Sequence, residues 1–385
     1  MRTHRPGRIL VAALLASAPL GVASASPSAG AVDPSDFALL WQETALSTVP
    51  FSPVTSVYLA FTSTAVNKAA TQSLRHPNAS EAAAVATAAH DVLVTYFPGS
   101  TTSLDAALAN SLAGVSDGPA EENGVAVGAA AAAAVVADRA EDGRGDASIV
   151  YDKAPGIGIW QDARPMATPW YGFVDRFVGG RPVRVDGPDP VGSPAYRADL
   201  AEVQALDAAG IDADKAALAT FFNVNAFALY RRALIGHLRS SPLGLADTTA
   251  LFADLDRSTA EAVRQTWRHK FTSGFWRPVA AITSDDGDPL TTPRAAWTSV
   301  LPLPPYPDYP SGHGTLTAAF AETVRCHLGD VPLTLHGAGG SRSYTSLAAM
   351  ETDALLSRIW GGLHFRDAMD DAYLIGHEVA AGLCD

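Results

Sequence analysis

Apolar residues recur at three- and four-residue steps through most of this chain, while the period-two alternation of half-buried strands is scarce. That spacing keeps one face of a helix apolar and predicts a helical protein. Alanine-rich helices are expected over Asp36–Ser47, Pro53–Ser73, Ala79–Tyr96, Leu104–Val115 and Pro119–Ala140. Ser103 stands where an N-cap belongs, and Asp117-Gly118 turns the chain into a helix with Pro119 at its first position. Helical spacing resumes after Ser193, a second N-cap followed by Pro194, and runs to about Ala209; further helices are expected over Asp214–Arg239 and Leu245–Lys270.

Between Asp142 and Pro190 the periodicity gives way to Gly, Pro and aromatic residues, among them Trp160, Trp170 and Tyr171. So long an irregular segment is expected to cover the core or to flank the mouth of a site. The predicted fold class is therefore all-α, built as two helical bundles. An N-terminal helical region spans residues 26–155, an irregular connection 156–192 and a C-terminal bundle 193–385, where all the unusual polar residues lie.

Composition adds an address. The 48% apolar content can fill a sizeable core. Residues 1–25 read as a signal peptide, with Arg2, Arg5 and Arg8 ahead of an apolar run from Ile9 to Val22 and Ala23-Ser24-Ala25 as a cleavage site. The protein is expected to be secreted. No membrane span is expected after signal cleavage, because Gly124–Ala137 is mostly alanine, stops at Asp138 and Arg139, and reads as a buried helix of a soluble protein. Net charge is −13, and loss of the leader's three arginines takes it to −16. That balance disfavours nucleic acid and anionic membranes as partners. Two cysteines, Cys326 and Cys384, lack the close spacing of a zinc site and in an exported protein are expected to pair.

Candidate chemistry begins where the pattern changes most abruptly. Pro302, Pro304, Pro305, Pro307 and Pro310 keep the chain extended up to Ser311, an N-cap; Gly312 follows, and His313 opens a helical run through Leu316, Ala319, Phe320 and Val324. Free N–H groups and the positive end of the helix dipole make such a start an anion site with an imidazole beside it. Alone, Pro-Ser-Gly-His fits a capped structural helix equally well. Upstream, Lys270 and Arg277 stand in aromatic surroundings with no acidic residue before Asp285. If buried there they need an anion, since an unpaired buried charge costs several kcal/mol, whereas either residue taken alone fits a side chain that snorkels to solvent. Downstream, Arg358 falls at a helix end, Gly361-Gly362 break the chain and His364 opens the next helix; Ser341-Arg342 looks similar but has Ala348 where the histidine would stand.

Together these elements resemble the signature of the vanadium-dependent haloperoxidases and type 2 phosphatidic acid phosphatases: Lys, six residues, Arg-Pro; Pro-Ser-Gly-His; Ser-Arg, five residues, His. Lys270 to Pro278, Pro310 to His313 and Ser357 to His364 match all three in order and spacing, and the phrasing looks like the bacterial secreted group. The resemblance is firm over residues 190–380 and loose before them. It implies a cofactor, vanadate, or phosphate in the same pocket, bound by Lys270, Arg277, Ser311, Gly312 and Arg358. His364 would be the apical residue, ligating vanadium in a haloperoxidase or attacking phosphorus in a phosphatase. His313 would be the general acid/base. The family's usual Asp four residues after the apical His is Ala368 here; Asp367, at i+3, is the expected substitute for orienting His364.

The implied function is a haloperoxidase in which vanadate-bound peroxide oxidises a halide to a hypohalous species, so that the partners are the small molecules hydrogen peroxide and halide. The alternative from the same resemblance is a secreted soluble acid phosphatase that hydrolyses a phosphate monoester through a phosphohistidine.

Overall fold

The computed structural model describes residues 33–384; the signal peptide expected at residues 1–25 lies outside them. Helices α1 (Pro34–Thr48), α2 (Thr55–Ser73), α3 (Glu81–Tyr96), α4 (Thr101–Leu112) and α5 (Pro119–Asp138) occupy the five alanine-rich stretches. Asp33 caps α1 by accepting from Ser35 N–H, and Ser80 caps α3 by accepting from Ala83 N–H. One start differs from expectation: α4 begins at Thr101, so Ser103 lies inside its first turn and donates its hydroxyl to the Ser100 carbonyl.

The expectation of a buried helix over Gly124–Ala137 holds for one face only. On α5, Gly124, Gly128, Ala131, Ala132 and Val135 are buried. The glycines permit a close approach to α3, for a Cβ at Gly128 would lie 2.4 Å from the Ala84 carbonyl oxygen. The remaining face is largely exposed, and α5 is long and apolar enough by itself to cross a bilayer.

The second part contains α6 (Pro194–Gln204), α7 (Ala213–Phe222), α8 (Ala226–Ser240), α9 (Leu245–Ser273), α10 (Pro278–Thr283), α11 (Gly312–Leu328), α12 (Leu347–Trp360) and α13 (Arg366–Ala381). Helix α6 ends short of Ala209. The helix expected over Asp214–Arg239 is two, because Asn223-Val224-Asn225 leaves helical geometry and Asn225 caps α8 by accepting from Ala228 N–H. Between α11 and α12 lies a small antiparallel hairpin, β1 (Leu333–Gly337) and β2 (Gly340–Tyr344), with Leu335 opposite Arg342. Only Leu333 and Leu335 alternate as buried apolar residues on β1, too short a run to read as a strand by pattern.

Helix α9 is the axis: it packs against α2 and against α11 and α13. Helices from both parts of the chain share one apolar core. A buried polar knot crosses the same junction, in which Arg231 of α8 reaches Asp256 of α9 and Gln42 of α1, and Ser63 of α2 donates to Asp256. The irregular connection covers this core. Tyr171 is fully buried and its hydroxyl bridges Ser56 of α2 (2.6 Å) and the Ala260 carbonyl of α9 (3.1 Å). Helices α11 and α13 lie close because Gly376 faces the Thr315 carbonyl, where a Cβ would come within 2.5 Å. Cys326 on α11 and Cys384 after α13 form a disulfide, with Cα atoms 5.7 Å apart.

Candidate active site

The site is assembled where α9, the proline-rich approach to α11 and the α12–α13 turn meet. Lys270 follows Val263 and Trp267 on the buried stripe of α9 at helical spacing. The helix stops at Gly274, which adopts φ +62 and returns its N–H to the Lys270 carbonyl. That stop is pinned from outside by the irregular connection, since Trp160 N–H donates to the Gly274 carbonyl and Trp276 N–H to that of Gly158. Arg277 then stands in extended geometry immediately before α10.

Both cations first serve the proline-rich loop. Prolines keep this segment out of helix and sheet, so several of its carbonyls take side-chain donors instead. Lys270 Nζ donates to the carbonyls of Pro307 and Asp308, each at 2.7 Å. Arg277 Nε donates to the Tyr306 carbonyl at 2.9 Å and Nη1 to the Leu363 carbonyl at 2.8 Å. The Tyr306 ring covers both, its centre 5.1 Å from Lys270 Nζ and 5.1 Å from the Arg277 guanidinium carbon, a favourable cation–π arrangement.

Ser311 caps α11 by accepting from Gly314 N–H at 3.2 Å, and its own N–H is taken by the Ala368 carbonyl. The amides of Gly312 and His313 are left at the open helix end. Gly312 is required by a close approach, for a Cβ there would sit 2.8 Å from the Trp267 ring.

The third element is a helix-ending turn. Gly362 N–H returns to the Ile359 carbonyl and Leu363 N–H to that of Arg358, with Gly362 at φ +73, the paired pattern of a left-handed C-terminal cap. The turn reverses the chain so that the Leu363 carbonyl meets Arg277 and the His364 side chain is buried in the site.

Against His364 stands a carboxylate that sequence reasoning missed. Asp308 Oδ1 lies 2.7 Å from His364 Nδ1, and both side chains are buried. The two atoms touch outside aligned hydrogen-bond geometry, and neither has another partner among the described residues. This corrects the expectation for Asp367, whose carboxylate instead accepts from Asp189 N–H at 3.3 Å. At i+3 on a helix Asp367 shares a face with His364, but His364 precedes α13, in the turn, where helical spacing does not apply. The signal available in sequence was Asp308 itself, an acidic residue inside the Pro-rich run immediately before Tyr309-Pro310-Ser311.

Burial sets the electrostatics. It pushes Lys270 well below its usual pKa, with Arg277 adding to the effect and Asp308 opposing it. Burial likewise lowers Arg277, again opposed by Asp308, and brings Arg358 down to about 10. Asp308 is raised to about 7 by burial, against the pull of Arg277 and Lys270. His364 is held well below the usual range by burial, then by the charges of Arg277, Lys270 and Arg358, and His313 by burial and Arg358. Both imidazoles are therefore neutral at pH 7.

Lys270 and Arg277 thus share one buried carboxylate, Asp308, while Arg358 is buried beside them. Arg277 Nη2, Arg358 Nε and Nη1, and His313 Nε2 are buried without a partner among the described residues. Unused donors of this number, beside a helix N-terminus and two neutral imidazoles, fit a multiply charged oxyanion. The residues present therefore suit vanadate or phosphate. A cleft of about 590 Å³ opens over them, with Gly312, His313, Arg358 and His364 in its lining together with Trp267, Tyr306, Phe51 and Phe227. Arg342, by contrast, sits on β2 at 3.9 Å from Asp353, away from the cleft.

These features define a helical-bundle protein with a buried, cation-lined oxyanion cradle at the foot of an aromatic cleft. Residues 250–385 match the family model of the VCPO second helical-bundle domain. A vanadium chloroperoxidase from Curvularia inaequalis is 34% identical over 96 residues, which cover 23% of this chain and 16% of that protein. The match thus spans about a sixth of the curated relative's length. Over the whole fold, the structure of a bacterial vanadium-dependent iodoperoxidase superposes with a TM-score of 0.73 at 19% identity, covering 91% of this chain and 95% of that one. A holo-type bacterial vanadium-dependent chloroperoxidase superposes with a TM-score of 0.66 at 17% identity, covering 93% of each chain. The C-terminal part of the chain is thus similar in sequence to vanadium haloperoxidases, and the fold as a whole resembles theirs.

Proposed function

We propose that this protein is a vanadium-dependent haloperoxidase acting on hydrogen peroxide and a halide. The observation that carries the reading is the set of unpartnered, buried guanidinium donors of Arg277 and Arg358 converging with His313 and His364. Lys270, Arg277, Arg358, Ser311 and the Gly312 amide would hold vanadate, with His364 as its protein ligand. Bound vanadate supplies Lewis-acid activation of peroxide for the two-electron oxidation of halide.

The chain's own groups do the rest. Asp308 beside Nδ1 favours the tautomer with its proton on that nitrogen, so Nε2 of His364 carries the free lone pair. The three cations and the helix end would stabilise the negative charge of a bound oxyanion, strongly because their side chains are buried. His313, neutral and with Nε2 unpartnered, accepts and returns a proton at that atom. The proline-rich loop is held in place by Lys270 and Arg277, which keeps the helix end aimed at the cations.

The same cradle suits phosphoryl transfer through His364, and the relatives' names favour oxidation over hydrolysis. A paired assay on one purified sample tests this: bromination of a dye with vanadate and peroxide, and hydrolysis of an aryl phosphate without them. Dye bromination that depends on vanadate supports the proposal, and hydrolysis alone overturns it. We also propose that the protein is exported; the leader sequence at residues 1–25 and the Cys326–Cys384 disulfide support that address.

A further inference from the structure

The cleft over the cradle is far larger than its small reactants need. Water occupies about 30 Å³ in the liquid, and peroxide and halide are of similar scale, whereas the cleft holds about 590 Å³. That volume falls in the range of roughly 300–1,000 Å³ typical of sites for organic ligands. Its walls come from three distant stretches: Phe51 and Ser52 between α1 and α2, Asn223 to Phe227 at the α7–α8 break, and Pro302 to Tyr306.

The walls are apolar and aromatic high up and cationic only at the foot. Phe51 is 63% exposed, unusual for a phenylalanine, yet its ring is not splayed into solvent at random. It packs edge-on against Phe227, ring centres 6.4 Å apart and planes 66° apart, and both rings line the cleft. Trp267 and Tyr306 form a second aromatic pair lower down, their centres 5.1 Å apart. Trp267 is held by donating its indole N–H to the Ala167 carbonyl, and Ala167 N–H in turn holds the Pro305 carbonyl. The lower walls are therefore fixed, while the upper pair stands on a loop and a helix start.

We propose that this cleft binds a planar aromatic organic substrate against the Phe51–Phe227 pair, with its reactive edge toward the foot. The inference rests on the haloperoxidase reading for its chemistry, and on the cleft alone for binding. At the foot, hypohalous acid transfers its halogen to a ring carbon as hydroxide leaves; that carbon loses its hydrogen as a proton, which combines with the hydroxide as water. One halogen–carbon bond forms, one C–H bond breaks and the ring carbon is oxidised by two electrons as the halogen is reduced. An electron-rich neutral ring fits both the aromatic walls and this step.

The test uses 2-naphthol. Its binding to the purified protein without vanadate is measured by calorimetry for the wild type, Phe51→Ala, Phe227→Ala and the ring-preserving Phe51→Tyr. Each alanine variant should weaken binding about fivefold, the scale of one aromatic contact, and Phe51→Tyr should retain it. With vanadate, peroxide and bromide, the kcat/KM for naphthol bromination should fall by a similar factor relative to iodide oxidation measured without an organic acceptor. Equal affinity in all four proteins overturns the proposal, as does a parallel fall in both reactions. Wild-type protein that binds naphthol but oxidises no halide sinks the haloperoxidase reading and leaves the binding site standing.

Discussion

Asp308 and His364 meet at 2.7 Å inside the protein, one carried by the proline-rich approach to α11 and the other by the turn between α12 and α13. The pairing joins two of the three sequence elements of the cradle and places a carboxylate behind the imidazole that would ligate the cofactor. Its geometry predicts that Asp308 positions His364. Asp308→Asn should lower vanadate affinity by about 10- to 100-fold, the usual effect of removing a partner behind a ligating histidine. Asp367→Asn should leave that affinity within about twofold, being engaged with Asp189 instead. Calorimetric titration with vanadate on the two variants checks this; equal losses would show that Asp308 has no such role.

The anion cradle should couple ligand binding to stability. Vanadate or phosphate at 100 times its dissociation constant should add about 2.7 kcal/mol to the unfolding free energy. Arg358→Ala removes two of the unpartnered buried donors and should abolish most of that gain. Arg342→Ala, on β2 and outside the lining of the cleft, should keep it. A thermal-shift titration of the three proteins decides the matter, and equal responses would mean that the cations do not form one site.

Gly362 links the fold to the chemistry. It sits at φ +73, and a Cβ there would come 2.9 Å from the Trp297 ring and 3.0 Å from the Ser299 side chain. Gly362→Ala should cost about 1–3 kcal/mol of stability through backbone strain alone. It should also reduce activity, because the turn presents the Leu363 carbonyl to Arg277. Chemical denaturation and halide oxidation measured together check both parts; unchanged values would show that the turn tolerates a side chain.

A cluster of carboxylates should make stability fall as pH rises. Burial raises Asp367 to about 7, and the charges of Asp189 and Asp371 add to it; burial also raises Asp189, Asp199 and Asp371. An acid whose folded pKa is above its unfolded value binds more protons when folded, so its favourable contribution is full below about 4 and is lost as pH rises through about 7. Asp367→Asn removes that loss and should flatten the slope of melting temperature against pH between those values. Parallel slopes for the wild type and the variant would rule out Asp367 as the source.

Residue spacing alone determined the helical class and most helix limits to within a few residues, and the resemblance to a family signature picked out the three site motifs. These follow from local rules, since an apolar stripe, a capping serine and a proline-rich run act within a few residues of themselves. Where local rules competed, spacing was less informative. Apolar periodicity carried through Asn223-Val224-Asn225, although the side chain of Asn225 starts a new helix there, and α5 hid only the face on which its glycines touch α3. What only the tertiary structure decided is which groups meet across the chain. Asp308, not Asp367, stands behind His364; Lys270 and Arg277 spend donors on the loop carbonyls; Phe51 faces Phe227. The reason is physical: burial and charge pairing depend on distances set by packing, and helical spacing says nothing of a side chain presented from a turn.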